Sequence, residues 1–176
     1  PILPRRIEHV QIIRPEDLPA LKASCAVASV QPSHILADRD TSERFWGKRS
    51  KNAYIFRSMI KNKIPLCFGS DAPIEKLDPM IGIYAAVNRH HPSDKRGPWF
   101  PDERLSIQQA AAGFTTGAAY ASNTADTTGR LSPGYFADMV VLSDDIFRMN
   151  KAKIYGSKIV ATICSGKIEH GSSNLY

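Results

Sequence analysis

The chain has 176 residues, 43% hydrophobic and 23% charged, a balance that suits one globular domain, or one domain with a small appendage, and excludes a disordered or fibrous polymer. It contains no run of about 18 apolar residues and no charged-then-apolar leader, so the sequence offers neither a membrane span nor a signal peptide. The formal charge of +6 raises nucleic acid as a partner, but clusters such as Lys48-Arg49-Ser50-Lys51 and Lys95-Arg96 are scattered and lack interleaved aromatics, so nucleic acid and membrane are both set aside.

In chain order, Arg6-Ile7-Glu8-His9-Val10-Gln11 reads as a short strand. Pro15-Glu16-Asp17 then starts a helix over residues 18–24. Ala26-Val27-Ala28-Ser29-Val30-Gln31 is a second strand, closed by Pro32-Ser33-His34. The polar segment 38–50, with Phe45 and Trp46, reads as a loop and short helix or as part of a lid. Residues 52–62 carry Ala53, Ile55, Phe56, Met59 and Ile60 at spacings of three and four, the mark of a helix with one buried face. Ile64-Pro65-Leu66-Cys67-Phe68 is a buried strand that ends in Gly69-Ser70-Asp71 and is stopped by Pro73.

Beyond it, Leu77-Asp78-Pro79 opens a helix from Met80 to about Asn88, and His90-His91 leads into a loop rich in proline and charge. Residues 105–121 are rich in alanine, with Ser106 as the N-cap, and read as a packed helix in which Thr115-Thr116-Gly117 permits close approach. After Asn123 the texture turns to Gly, Pro and short strands at 137–142, 158–164 and 167–169, with no helical period. A boundary near residue 124 therefore divides a portion spanning 1–124 from a small β portion spanning 125–176. Cys25, Cys67 and Cys164 lie far apart without Cys-x-x-Cys spacing. The first two sit in apolar surroundings, which points to reduced, buried thiols and a cytoplasmic setting. The start at Pro1 rather than methionine suggests a piece of a longer product.

Three strand-like runs thus end in a side chain that ligates metals or moves protons: His9, His34 and Asp71. Each has a plain alternative. A strand histidine often serves only to bond backbone, and Ser70-Asp71-Ala72-Pro73 is also a good turn sequence. Convergence gives the set its meaning. Imidazoles and a carboxylate from separate strand ends are what a zinc hydrolase requires: they fill part of the coordination sphere, an open position takes water, and a carboxylate beside that water accepts its proton.

In these stretches the chain resembles the C-terminal part of the amidohydrolase superfamily, nearest its N-acyl and N-substituted formamide branch. The likeness is carried by Arg6-Ile7-Glu8-His9-Val10-Gln11, Ser29-Val30-Gln31-Pro32-Ser33-His34, Gly69-Ser70-Asp71-Ala72-Pro73, the alanine-rich helix around Thr115, and Gly129-Arg130-Leu131-Ser132-Pro133-Gly134-Tyr135-Phe136-Ala137-Asp138-Met139-Val140-Val141-Leu142. It implies an α/β fold, a partial (β/α)8 TIM barrel comprising its last strands and helices, with part of an accompanying β-sandwich. It further implies His9 and Asp71 as metal ligands, Asp71 as catalytic proton shuttle, His34 as a substrate contact, and a small-molecule amide as substrate.

The chain departs from the family in having no His-x-His pair and no counterpart to the ligands of the middle strands. By this reading zinc, or another divalent metal, belongs to a parent enzyme. The isolated chain holds it weakly or not at all and turns over little. The unpaired sheet edges favour self-association or docking on a missing N-terminal half. The competing readings are a non-catalytic amidohydrolase-like remnant or interaction module, and an acid–base enzyme using His34 and Asp71 without metal.

Overall fold

The computed structural model describes residues 4–171 and shows a mixed α/β fold. Strands β1 (Arg6–Glu8), β2 (Val27–Val30) and β3 (Leu66–Phe68) form one parallel sheet in that order, with Glu8 beside Ser29 and Ser29 beside Cys67. Parallel neighbours need a crossover between them. Helix α1 (Leu18–Ala23) supplies the first, and α2 (His34–Trp46) with α3 (Phe56–Lys61) the second.

One face of the sheet builds the core. Ala28, Val30 and Phe68 are buried there with Ile35, Phe56 and Met59, and the Phe56 and Phe68 rings lie 5.7 Å apart. Burying a side chain such as Phe68 contributes roughly 2–3 kcal/mol. Helix α4 (Pro79–Asn88) is apolar on nearly every side, from Met80 to Val87, and is accordingly buried on nearly every side. Asp78 starts it by accepting the Met80 N–H at 2.9 Å, with Pro79 in the first turn.

The alanine-rich stretch is one continuous helical element. It comprises α5 (Ile107–Ala112), a π turn (Gly113–Gly117) and α6 (Ala118–Ala121). Ser106 caps it in a reciprocal box with Gln109, worth about 1 kcal/mol. The π turn lies against β3, and a Cβ on Gly117 would stand 2.3 Å from the Leu66 carbonyl oxygen. That carbonyl is backbone and cannot swing aside, so glycine is required there.

The C-terminal strands β4 (Met139–Leu142), β5 (Ile159–Cys164) and β6 (Lys167–Gly171) form a separate antiparallel sheet. Ser165 and Gly166 join β5 to β6 in left-handed conformations (φ 50 and 79), the arrangement that suits a tight hairpin. Ile146 and Ile154, from the segment between β4 and β5, are buried in the same core as the parallel sheet's helices.

Five features differ from the sequence expectations. Segment 38–50 holds more helix than expected: residues 34–46 form one 13-residue helix, followed by a 3-10 turn (Gly47–Asn52). Its length is hidden because only His34, Ile35 and Ser42 are buried, while Asp, Glu and Arg fill the rest, with Arg39 and Glu43 paired one turn apart. The helix expected over 52–62 begins only at Phe56, because residues 52–54 pair instead with residues 11–13. β1 ends at Glu8, so His9 lies just past the strand. Cys25 is exposed, in a left-handed position (φ 55) just after α1, while Cys67 is buried. A 3-10 turn (Lys151–Gly156), too short to show a period, interrupts the C-terminal strands.

Candidate functional site

The site lies just beyond the C-terminal ends of the three parallel strands. His9 comes directly after β1, and its N–H donates to the Ser29 carbonyl at 2.7 Å, which extends the sheet by one bond before the chain turns away. His9 and Val10 both have positive φ, 68 and 40. A left-handed β-branched residue is an outlier that its surroundings must hold in place. His34 opens α2 after the Pro32-Ser33 turn and is buried. Asp71 follows Gly69-Ser70 beyond β3, also left-handed (φ 61), and accepts the Ile74 N–H through its backbone oxygen at 2.8 Å.

The three side chains meet. One ligand atom from each of His9, His34 and Asp71 lies within 4.8 Å of the other two. His34 Nε2 stands 3.6 Å from Asp71 Oδ2, and the His9 and His34 rings stack at 6.1 Å with 20° between their planes. Donors about 2.0–2.2 Å from a shared tetrahedral ion stand roughly 3.3–3.6 Å apart, so the His34 and Asp71 atoms already have the separation a metal requires. His34 Nε2 is buried without a hydrogen-bond partner among the described residues. A buried polar atom left unpaired costs about 1–3 kcal/mol, and a cation beside this nitrogen would give its lone pair a partner. Two imidazoles and a carboxylate are also a donor set that zinc accepts. The residues present therefore fit a divalent metal.

Of the residues singled out by sequence, His9, His34 and Asp71 lie together beyond the parallel strands. His90 and His91 are occupied elsewhere: the His90 ring nitrogen lies 3.0 Å from the His91 carbonyl, and that of His91 2.7 Å from Ser93 Oγ. His170 is exposed on β6.

Two groups of nearby residues are not among those the sequence singles out. Gln31 Oε1 and Ser33 Oγ are, like His34 Nε2, buried and without a partner among the described residues, which lines the turn between β2 and α2 with unsatisfied polar atoms. The signal for them is Gln31-Pro32-Ser33-His34 itself, a polar run directly after an apolar strand. The second group joins Gln11, Asp38 and Tyr54. Gln11 Nε2 donates to Asp38 Oδ2 (3.1 Å) and Tyr54 Oη (3.0 Å), and Tyr54 Oη donates to Asp38 Oδ2 at 2.5 Å. Burial, then the Asp38 carboxylate, pushes the Tyr54 phenol far above its usual range, so it stays a donor. Arg89, fully buried, donates to the carbonyls of Tyr54 (2.9 Å) and Trp99 (2.7 Å). Burial lowers its pKa to about 10, which leaves it charged at neutral pH. No local pattern joins residues so distant in sequence.

The amidohydrolase family profile matches residues 3–170. The chain belongs to the amidohydrolase family. It is 35% identical over 164 residues to the protein LONG AFTER FAR-RED 3 of Arabidopsis thaliana, covering 92% of this chain and 28% of that protein. It is 30% identical over 170 residues to YtcJ of Bacillus subtilis, a protein that carries an amidohydrolase name, covering 96% of this chain and 32% of the relative. The fold is similar to an uncharacterized metal-dependent hydrolase from Pyrococcus horikoshii, with TM-score 0.73 and 34% identity over 84% of this chain and 30% of that one. The chain thus spans about a third of the length of the curated relatives it matches. Metal dependence and hydrolysis are named for the Pyrococcus protein. Among the described residues no helix is long and apolar enough to cross a membrane.

Proposed function

We propose that this chain is the C-terminal part of a metal-dependent hydrolase acting on amide or other non-peptide C–N bonds, its metal zinc or another divalent ion. The observation that carries the reading is the convergence of His9, His34 and Asp71 within 4.8 Å beyond three adjacent parallel strands. Active sites of α/β barrels occupy that face. In this reading β1, β2 and β3 are the last strands of a (β/α)8 barrel within residues 1–124, and residues 125–176 contribute part of the accompanying β-sandwich.

His9 and Asp71 would hold the metal, and His34 Nε2 offers a third donor from the same side or, once a substrate enters, a hydrogen bond to its carbonyl. When bound, the metal supplies a polarising charge and brings the pKa of water near 7. Asp71, half exposed at the lip, accepts the proton of the attacking water on a carboxylate oxygen and returns it to the departing nitrogen. The buried His34 ring closes the inner side of the site, while the exposed His9 lies on the open side from which a small amide enters. The edge of β1, exposed at all three residues, offers its outward backbone groups to the rest of the barrel or to a second copy.

A zinc titration of the purified chain followed by two-dimensional 1H–15N NMR tests the assignment. Weak binding is expected, with shifts centred on His9, His34 and Asp71 and abolished by Asp71→Asn. Shifts elsewhere, or shifts indifferent to the substitution, overturn it. Tight stoichiometric zinc with hydrolytic activity would instead overturn the partial-barrel assignment.

A further inference from the structure

The two imidazoles stack although their segments are held very differently. His34 is anchored by helix α2, whereas His9 is exposed and sits with Val10 on two successive left-handed residues. Left-handed backbone at non-glycine residues is disfavoured and persists only where neighbours over-determine it. The His9 N–H is held by the Ser29 carbonyl at 2.7 Å, and beyond the two left-handed residues a second restraint begins at Gln11. The Tyr54 N–H donates to the Gln11 carbonyl at 2.9 Å, and the Ile13 N–H to the Asn52 carbonyl at 3.2 Å.

The side chains then close a triangle among three segments. Gln11 comes from the segment carrying His9. Asp38 comes from α2, one helical turn beyond His34 and on the same face. Tyr54 comes from the stretch between α2 and α3, is itself left-handed (φ 53), and is fixed from behind by Arg89. Each corner bonds the other two, with both donors meeting on Asp38 Oδ2. A closed loop of hydrogen bonds between the carriers of two site residues does more than either backbone bond, because it fixes the distance between those carriers.

We infer that Gln11, Asp38 and Tyr54 form a positioning clamp that sets the His9 imidazole against that of His34. They are positioning residues, and among the described residues no hydrogen bond joins them to either ring. The inference deepens the proposed function and takes from it that the two histidines belong to one site, but the clamp acts on the metal-free protein and is measured there.

The test compares wild type with Tyr54→Phe, Asp38→Asn and Gln11→Leu in the metal-free chain, using imidazole 1H–15N spectra, the nuclear Overhauser contact between the His9 and His34 rings, and exchange of the Ile13 and Tyr54 amides. Tyr54→Phe keeps the ring's contacts with Phe56 and Trp99, and Gln11→Leu changes a half-buried surface position, so a folded variant is available even where Asp38→Asn fails. The expected result is loss of the ring–ring contact, with exchange at the two amides rising about tenfold, the effect of losing one such hydrogen bond. Ser58→Ala, which removes a bond to Glu103 outside this network, leaves the ring contact in place. Retention of the contact in Tyr54→Phe and Gln11→Leu overturns the clamp, as does its loss in Ser58→Ala. Loss of the contact in the clamp variants, in a chain whose zinc titration is silent at His9 and Asp71, sinks the metal reading and leaves the clamp standing.

Discussion

His34 Nε2 lies 3.6 Å from Asp71 Oδ2, too long for a direct hydrogen bond, and the nitrogen is buried with no other partner among the described residues. The metal-free protein therefore bears the cost of an unsatisfied polar atom at this position. His34→Leu, which removes that atom and keeps apolar volume, is expected to stabilise the metal-free chain by about 1 kcal/mol in urea unfolding. The same change is expected to abolish the zinc-induced shift at Asp71. A loss of stability instead would show that the nitrogen is satisfied in solution.

Arg89 is a buried charge whose Nη2 also lacks a partner among the described residues, but whose Nε and Nη1 bonds hold the structure together. Its guanidinium serves two main-chain carbonyls, and its own backbone closes α4 in a left-handed conformation (φ 59). Arg89→Met leaves the carbonyls of Tyr54 and Trp99 without their donor. The expected loss is about 3 kcal/mol or more, since hydrogen bonds from a charged donor contribute roughly 1.5–3 kcal/mol each. It would be read as a lower urea midpoint at unchanged slope.

Gly117 and Gly156 form a matched pair of glycine tests. A Cβ at Gly117 would meet the Leu66 carbonyl oxygen at 2.3 Å, whereas a Cβ at Gly156 meets nothing within 4 Å. Gly117→Ala is expected to cost about 1–3 kcal/mol by forcing the π turn away from β3. It should also shift the amide resonances of Asp71, at the far end of that strand. Gly156→Ala is expected to change the thermal midpoint little.

Acid should loosen the loop after α4 in a predictable direction. Hydrogen bonds from the Arg96 side chain and backbone hold the Asp94 carboxyl well below its usual value of 3.8. Arg39 also bonds Asp94, and reaches the Gly97 carbonyl at 2.8 Å. A group whose pKa is depressed by folding contributes stability that is complete above its ordinary value and is lost as the pH falls toward the depressed one. Wild type is therefore expected to lose stability below about pH 4 more steeply than Asp94→Asn. Equal slopes would remove Asp94 from the acid response.

The parallel strands, the α4 start at Asp78 and the Ser106 cap are legible in the sequence because each is announced locally, by an apolar run or by a capping residue beside a turn. Helix α2 is not, because charge fills its surface and only His34, Ile35 and Ser42 turn inward. For the site, His9, His34 and Asp71 stand out because a polar residue directly after an apolar strand is visible in one dimension. Their mutual distance is not visible, and neither is the 3.6 Å separation of His34 from Asp71. Gln11, Asp38 and Tyr54 give no local sign, since what joins them is the pairing of residues 52–54 with residues 11–13, a contact that also overrides the helical spacing there.

The order of β1, β2 and β3 in space repeats their order along the chain. During synthesis the first imidazole precedes the second, and the carboxylate follows both, after the two crossovers between the strands. A nascent chain interrupted ahead of β3 would carry both histidines with no Asp71 beside them, so this three-residue cluster is completed by the last of its strands to be made.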